Sequence, residues 1–183
     1  MDKKRLIEII LTALFAALMA VGAYIRIPLP PVPITLQTLF ALLCGLLLPL
    51  PLALSSLFIY LFLGLVGLPV FTSGGGFAAF SGPTGGYLAG LIPAILIETL
   101  MLRFIPVRRF GFYILTSTLA TAAIYACGLS WLAWSRNLSL QATLAGGLYP
   151  FIIGDVVKIL ACSYAAVRLR DRVTQVLSKD GGM

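Results

Sequence analysis

The stretch LIEIILTALFAALMAVGAYI, residues 6–25, decides what kind of fold this chain adopts. It is a nearly continuous apolar run, as long as the roughly 20 residues that a helix needs to cross a bilayer. Three basic residues, Lys3, Lys4 and Arg5, precede it. A secretory signal peptide has similar flanks, but its apolar core spans only about 7–15 residues. We therefore predict a retained transmembrane helix.

Five further apolar runs follow, separated by prolines, glycines and charged residues. Proline ends a helix because it has no N–H and fixes φ. The predicted spans are residues 6–25, 35–48, 52–68, 87–102, 112–134 and 149–167. The sequence thus predicts an all-α, polytopic membrane protein with six transmembrane helices, formed by one integral membrane domain over residues 1–183.

The composition agrees with that fold class. Of the 183 residues, 60% are hydrophobic and 10% are charged, whereas soluble domains average about 45–50% and about 25%. A water-soluble globule is therefore excluded. The chain has no histidine, which excludes Ser-His triads and His-ligated metal sites. We expect no catalytic site, no metal and no cofactor.

The basic residues indicate an orientation in the membrane. The net charge is +7, but the charges lie at the edges of the apolar runs, as in membrane topology signals, which argues against nucleic-acid binding. Six spans place Arg26 and Arg136 on one side. They place ten basic residues on the other: Lys3, Lys4, Arg5, Arg103, Arg108, Arg109, Arg168, Arg170, Arg172 and Lys179. The positive-inside rule then predicts a multi-pass protein of the cytoplasmic membrane with both termini cytoplasmic.

Two opposite charges, Asp155 and Lys158, lie inside the last predicted span. A charge at the centre of a membrane helix costs roughly 2.5–3.5 kcal/mol on insertion scales. Spaced i,i+3, the two residues share a helix face and must point into the bundle. They are either a structural ion pair or a contact point for a substrate, and we favour the substrate contact. Lys158 would then take an anionic group, and Asp155 would accept N–H hydrogen bonds.

Two uncharged segments are further candidates for binding. Residues 73–86 are rich in glycine yet apolar, which at membrane depth is tolerated only when the backbone lines a cavity or is covered by protein. This segment is either a lid or a packed connector; as a lid it would offer Gly82, Thr84, Gly85, Gly86 and the adjacent Tyr87 to a ligand. Thr35 and Gln37 form a second polar cluster with Thr38 at the start of span two. Thr35 is either a helix N-cap or, like Gln37, part of the same pocket.

Two other features of the spans carry predictions. Ala13 with Ala17 and Ala16 with Ala20 are small-xxx-small pairs, which allow close helix approach either within the chain or to a partner subunit. Glu98 lies about one turn before Arg103, so we expect its carboxylate to reach the cytoplasmic interface.

Four stretches occur in order along the chain: VPITLQTL (32–39), GLPVF (67–71), GPTGGY (82–87) and GDVVK (154–158). Together they resemble the signature stretches of the BioY family, the biotin-binding membrane subunits (S components) of energy-coupling factor (ECF) transporters. The resemblance implies a six-helix S-component fold that captures biotin from outside. It also implies partners, namely a transmembrane coupling subunit and two ATP-binding-cassette ATPases.

The resemblance gives the candidate residues specific roles. It implies ligand contacts for Asp155 and Lys158, a lid at residues 73–86, and docking of the coupling subunit on Ala13, Ala16, Ala17 and Ala20. Biotin chemistry fits such a site, because its carboxylate needs a cation, its ureido N–H groups need acceptors and its rings need apolar walls. The chain has no Walker motif, so ATP hydrolysis would occur on the partners.

Three alternatives stay open on the sequence alone. The chain is an S component for a different vitamin, or a purely structural membrane subunit. The third is an intramembrane hydrolase that uses Ser163 or Ser81 with Lys158. Ser163 is poorly placed for that role, because five residues separate it from Lys158 by roughly 140° around a helix.

Overall fold

The described part of the chain is almost entirely helical. A computed structural model describes residues 3–105 and 109–178. Its helices are α1 (Lys3–Tyr24), α2 (Gln37–Leu47), α3 (Leu50–Leu65), α4 (Phe77–Ser81), α5 (Gly85–Phe104), α6 (Phe110–Arg136), α7 (Leu140–Gly147) and α8 (Ile152–Ser178). A two-stranded antiparallel hairpin, β1 (Arg26–Ile27) with β2 (Ile34–Thr35), connects α1 to α2. A 3-10 turn, Tyr149–Phe151, precedes α8.

Each predicted apolar run contains one of the helices α1, α2, α3, α5, α6 and α8, but the structure differs at several ends. The segment between the predicted spans 112–134 and 149–167, to which the sequence assigned no helix, contains α7. Ser139 explains this helix, because its hydroxyl accepts the N–H of Ala142 at 3.3 Å, a standard N-cap. Helix α8 also continues to Ser178, beyond the predicted end at residue 167.

Four helical stretches of the described residues are long and apolar enough to cross a membrane: Lys3–Tyr24, Gly85–Phe104, Phe110–Arg136 and Leu140–Ser178. Helices α2 and α3 are apolar but shorter, with 11 and 16 residues. At 1.5 Å per residue, α2 spans only about 16 Å. The chain is therefore a helical protein with membrane-spanning character, in which α2 is too short to cross a full bilayer unaided.

The packing brings one end of several helices together around a cavity. Helices α5 and α6 share the most extensive contact, and α2 packs against α8, α1 and α5. The core between them contains large buried side chains such as Met19, Leu42 and Ile95. The N-terminal ends of α2, α5 and α8 meet the C-terminal half of α6 around a cavity.

The basic residues are divided between the two ends of this bundle. Arg26 and Arg136 lie at the cavity end, whereas eight described basic residues lie at the helix ends away from it: Lys3, Lys4, Arg5, Arg103, Arg109, Arg168, Arg170 and Arg172. Arg108 and Lys179, which the sequence also assigned to that group, lie outside the described residues.

Candidate ligand-binding site

A cavity opens where the helix ends meet, and it encloses about 700 Å³ of empty space including its mouth. Ligand pockets in proteins are mostly apolar with a few placed polar groups. This cavity has that composition. Its lining residues are Val32, Pro33, Thr35, Gln37, Thr38, Leu42, Thr72, Thr84, Tyr87, Leu88, Leu91, Thr121, Ile124, Tyr125, Phe151, Asp155 and Lys158.

The charged pair predicted from sequence lies in the wall of this cavity. Lys158 Nζ and Asp155 Oδ1 are 2.9 Å apart, and the two side chains are only 7% and 14% exposed. Lys158 also donates to Thr38 Oγ1 at 3.1 Å. An ammonium group has three donors, so one remains for a ligand. The wall of the cavity therefore presents a donor and an acceptor side by side.

Two tyrosines fix this pair and the opposite wall. The Tyr125 hydroxyl donates to Asp155 Oδ2, and the Tyr87 hydroxyl donates to the Gly147 carbonyl at 2.9 Å. Their rings contact each other edge to face, with centroids 6.4 Å apart. Tyr87 thus lines the cavity as predicted, while its hydroxyl anchors the C-terminal end of α7.

The polar cluster at the start of α2 also lines the cavity. Gln37 is buried, and its backbone N–H donates to Thr35 Oγ1 at 3.3 Å. The N-cap of α2 is Leu36, so the prediction of Thr35 as the cap is wrong by one residue. The Thr35 side chain does line the cavity, as the alternative prediction had it. Thr38, one residue along the helix, reaches Lys158.

The glycines of the GPTGGY stretch do not line the cavity, although Thr84 does. An added Cβ at Gly85 would lie 1.8 Å from the Phe80 carbonyl oxygen, and one at Gly86 would lie 2.2 Å from Trp131 Cβ. The Gly82 carbonyl accepts from Trp131 Nε1 at 2.9 Å. These three glycines allow the start of α5 to pack against α6 and the chain before it. They lie beside Thr84 and Tyr87, which line the cavity. That these glycines contact a ligand themselves stays a prediction.

The segment 73–86 is partly ordered into α4, and it packs through Ala79, which is buried. Only Thr84 of this segment lines the cavity, with Thr72 directly before it. Two threonines, Thr72 and Thr84, thus contribute to the cavity wall, while Ser73, Phe77 and Ser81 are exposed. The role of the segment as a lid stays a prediction.

The serines considered for a hydrolase do not form a catalytic pair with Lys158. Ser81 donates to the Phe77 carbonyl at 3.0 Å, and it is exposed. Ser163 is buried and does not line the cavity. The described residues also contain no group of three or more His, Cys, Asp or Glu side chains that could hold a metal ion.

The alanines of α1 fall on two faces of that helix. Ala13 and Ala17 are exposed, Ala20 is half-buried, and Ala16 lies in the protein's own core. Ala16 cannot contact a partner subunit from there, so its predicted docking role is corrected to core packing. For the exposed Ala13 and Ala17, docking of a partner subunit stays a prediction.

Glu98 is the clearest difference from the sequence-based expectation. Its side chain is fully buried instead of reaching the interface. Its Oε1 accepts from Ser117 Oγ at 2.8 Å, and its Oε2 has no hydrogen-bond partner among the described residues. A Cβ at Gly45 would lie 2.4 Å from Oε2. The absence of a side chain at Gly45 thus leaves the space that the carboxylate occupies in the bundle.

Sequence reasoning missed three polar lining residues, Tyr125, Thr121 and Thr72. Tyr125 lies thirty positions before Asp155, so nothing local in the sequence reveals their hydrogen bond. A weak signal existed for Thr121, because a hydroxyl in an apolar span needs a partner. Its Oγ1 is buried without one among the described residues, while its side chain lines the cavity.

Cavity and helices together define a small-solute-binding membrane protein. Comparison with known proteins then gives the family: the model of the BioY family matches residues 1–175, and the chain belongs to this family. A probable biotin transporter BioY of Pyrococcus horikoshii is 40% identical, over 89% of this chain and 96% of that protein.

Other relatives carry similar names. A probable biotin transporter BioY of Lysinibacillus sphaericus is 35% identical over 93% of this chain and 88% of that protein. The biotin transporter BioY of Thermotoga maritima is 34% identical over 89% and 95%. Among solved structures, the S-component for biotin from an ECF-type ABC transporter superposes with a TM-score of 0.87 at 27% identity. That similarity covers 93% of this chain and 94% of that one. The chain is therefore a transport protein and not an enzyme.

Proposed function

We propose that this chain binds biotin in the cavity described above and delivers it across the cytoplasmic membrane as the substrate-binding subunit of an ECF-type importer. The observation that carries the proposal is the Asp155–Lys158 pair, which lies in the wall of a largely apolar cavity. A cyclic urea fits a wall that offers a donor beside an acceptor, and the fused rings fit the Leu88, Leu91 and Ile124 side chains.

The proposed orientation has six crossings with both termini in the cytoplasm and the cavity facing outward. It is supported by the division of described basic residues, eight at one end of the bundle against two at the other. The short α2 would cross as part of the bundle, where neighbouring helices or a locally thin bilayer compensate its length.

The proposed partners are a transmembrane coupling subunit and two ATPases. The coupling subunit would dock on the exposed Ala13 and Ala17 of α1. Small residues let helices approach closely in lipid. Ala17→Trp should therefore prevent copurification with the coupling subunit and stop uptake while leaving biotin binding intact. Leu119→Trp, at an exposed apolar position on α6, is the matched control. Assembly unaffected by Ala17→Trp would contradict this docking face.

The decisive experiment is equilibrium binding of radiolabelled biotin to the purified chain, with a different vitamin as competitor. We expect saturable binding of biotin that the other vitamin does not displace. Lys158→Ala should weaken binding about tenfold or more, since a hydrogen bond to a charged group contributes roughly 1.5–3 kcal/mol. Saturable binding of the other vitamin in radiolabelled form, with no saturable binding of radiolabelled biotin, would assign a different substrate.

A further inference from the structure

A second cavity, which we call the vestibule, adjoins the first on its outer side. It is open to solvent and shares Pro33, Thr72 and Thr84 with the inner cavity. Its other lining residues are Arg26, Pro28, Leu29, Pro30, Pro31, Ser73 and Pro83. The three shared residues are the boundary that a solute passes on its way inward.

Arg26 lies at this boundary. It is the first residue of β1 and pairs across the hairpin with Thr35, which lines the inner cavity. Its side chain is exposed and its guanidinium donates to the Thr72 carbonyl. A guanidinium has five donors, so most of them stay free. Among the described residues, Arg26 is the one cation that lines the vestibule.

The charges of the inner cavity determine where a carboxylate can bind. Asp155 and Lys158 already compensate each other, so this wall has no net charge. A carboxylate beside them would add a buried charge and place it near the Asp155 carboxylate, at a desolvation penalty that the shared lysine does not offset. At the vestibule, the same carboxylate would meet the Arg26 guanidinium, which is bonded to a neutral carbonyl, and would remain in contact with water.

We propose that Arg26 is the carboxylate-binding residue and sets the direction in which the ligand enters: ring first, acid last. This inference rests on the proposed function and refines it. The urea N–H donates a hydrogen bond to Asp155, and the remaining N–H of the Lys158 ammonium donates one to the urea oxygen. The carboxylate pairs with Arg26, whose planar fork suits two parallel hydrogen bonds. The sequence suggested that Lys158 binds the anionic group of the ligand. In this proposal Lys158 binds the neutral urea ring instead.

The test compares two ligands, biotin and biotinamide, which differ only in the charge of the tail. Calorimetric titration would be done on the wild-type chain, Arg26→Gln, Lys158→Ala and Arg136→Gln. Arg26→Gln should weaken biotin about tenfold or more while leaving biotinamide nearly unchanged, because only biotin loses a charge-assisted pair. Lys158→Ala should weaken both ligands alike. Arg136→Gln, which removes the other basic residue of this end, should change neither.

Three results would overturn the proposal. If Arg26→Gln weakens both ligands equally, Arg26 acts only by holding the loop through Thr72. If it weakens neither, the carboxylate lies elsewhere. If Lys158→Ala weakens biotin selectively, the ligand enters acid first, while the proposed biotin function still stands. A wild-type chain that binds neither ligand would instead refute the proposed function itself.

Discussion

Asp155 and Glu98 are both carboxylates inside long helices, yet their surroundings differ. Asp155 has an ammonium partner, a tyrosine hydroxyl and an open cavity beside it. Glu98 has one serine hydroxyl, a second oxygen without a hydrogen-bond partner among the described residues, and close packing against Gly45. The comparison teaches that burial of an acid does not itself identify a ligand site. What distinguishes Asp155, and supports the proposed site, is the accessible space beside its ion pair.

The largest expected effect comes from removing one member of the Asp155–Lys158 pair, which leaves the other charge buried without its partner. Asp155→Leu should reduce the free energy of unfolding by about 3–5 kcal/mol, because it strands the buried Lys158 ammonium. The double variant Asp155→Leu with Lys158→Leu should recover most of that loss but bind no biotin. Chemical unfolding in detergent and ligand titration would measure the two effects. A single variant as stable as the double would show that the pair is not effectively buried.

The second prediction applies the same amide substitution to both acids. Asp155→Asn should weaken biotin binding about tenfold or more, since it removes the counter-charge of Lys158 and a charged acceptor. Glu98→Gln should change affinity by less than about twofold, because its side chain does not line the cavity and distant sites act almost independently. Calorimetric titration of both variants tests this. A large affinity loss in Glu98→Gln would show that the Glu98 site and the cavity are energetically coupled.

The third prediction tests how tightly Glu98 is packed. Gly45→Ala places a methyl group against Glu98 Oε2, so it should destabilise the fold by about 1–3 kcal/mol, as overpacking does. Biotin affinity should remain at the wild-type value. Gly111→Ala is the matched control, because nothing lies within 4 Å of its Cβ. Equal stability of the two variants, measured by unfolding, would mean that the Glu98 site is loosely packed.

The smallest effect concerns the hydrogen bond that orients Lys158. Thr38→Val removes the hydroxyl that accepts from Nζ, at an expected loss of about 0.5–1.5 kcal/mol in binding free energy. Thr118→Val, which removes an exposed hydroxyl bonded to the Ile114 carbonyl, controls for helix propensity. The ratio of their biotin affinities measures the contribution of Thr38, and a ratio of one would assign no such role to it.

Much of the fold was predictable, because apolar runs bounded by proline and charge correspond to the long helices. The helix α7 was not, since its cap at Ser139 lies within a short polar stretch that resembles a loop. At the site, Asp155 and Lys158 stood out because charges are costly in an apolar span. Tyr125 and the role of Arg26 depend on contacts between distant segments, which local patterns do not encode.

The glycines of residues 82–86 also show that a local sequence pattern does not determine which residues face the cavity. Their sequence motif is conspicuous, and this favoured a direct contact with ligand. The structure uses them for the approach of α5 to Trp131 and to the Phe80 carbonyl. A motif thus identified the right region, while only packing determined which of its residues face the cavity.

Trp131 gives this protein a built-in optical reporter. The chain contains two tryptophans, and their rings lie 5.1 Å apart at the end of α6 nearest the cavity. The Trp131 indole N–H is bonded to the Gly82 carbonyl, two residues before Thr84. Indole emission therefore originates next to the rim of the cavity, so a ligand that shifts this rim would register as a spectral change without any attached dye.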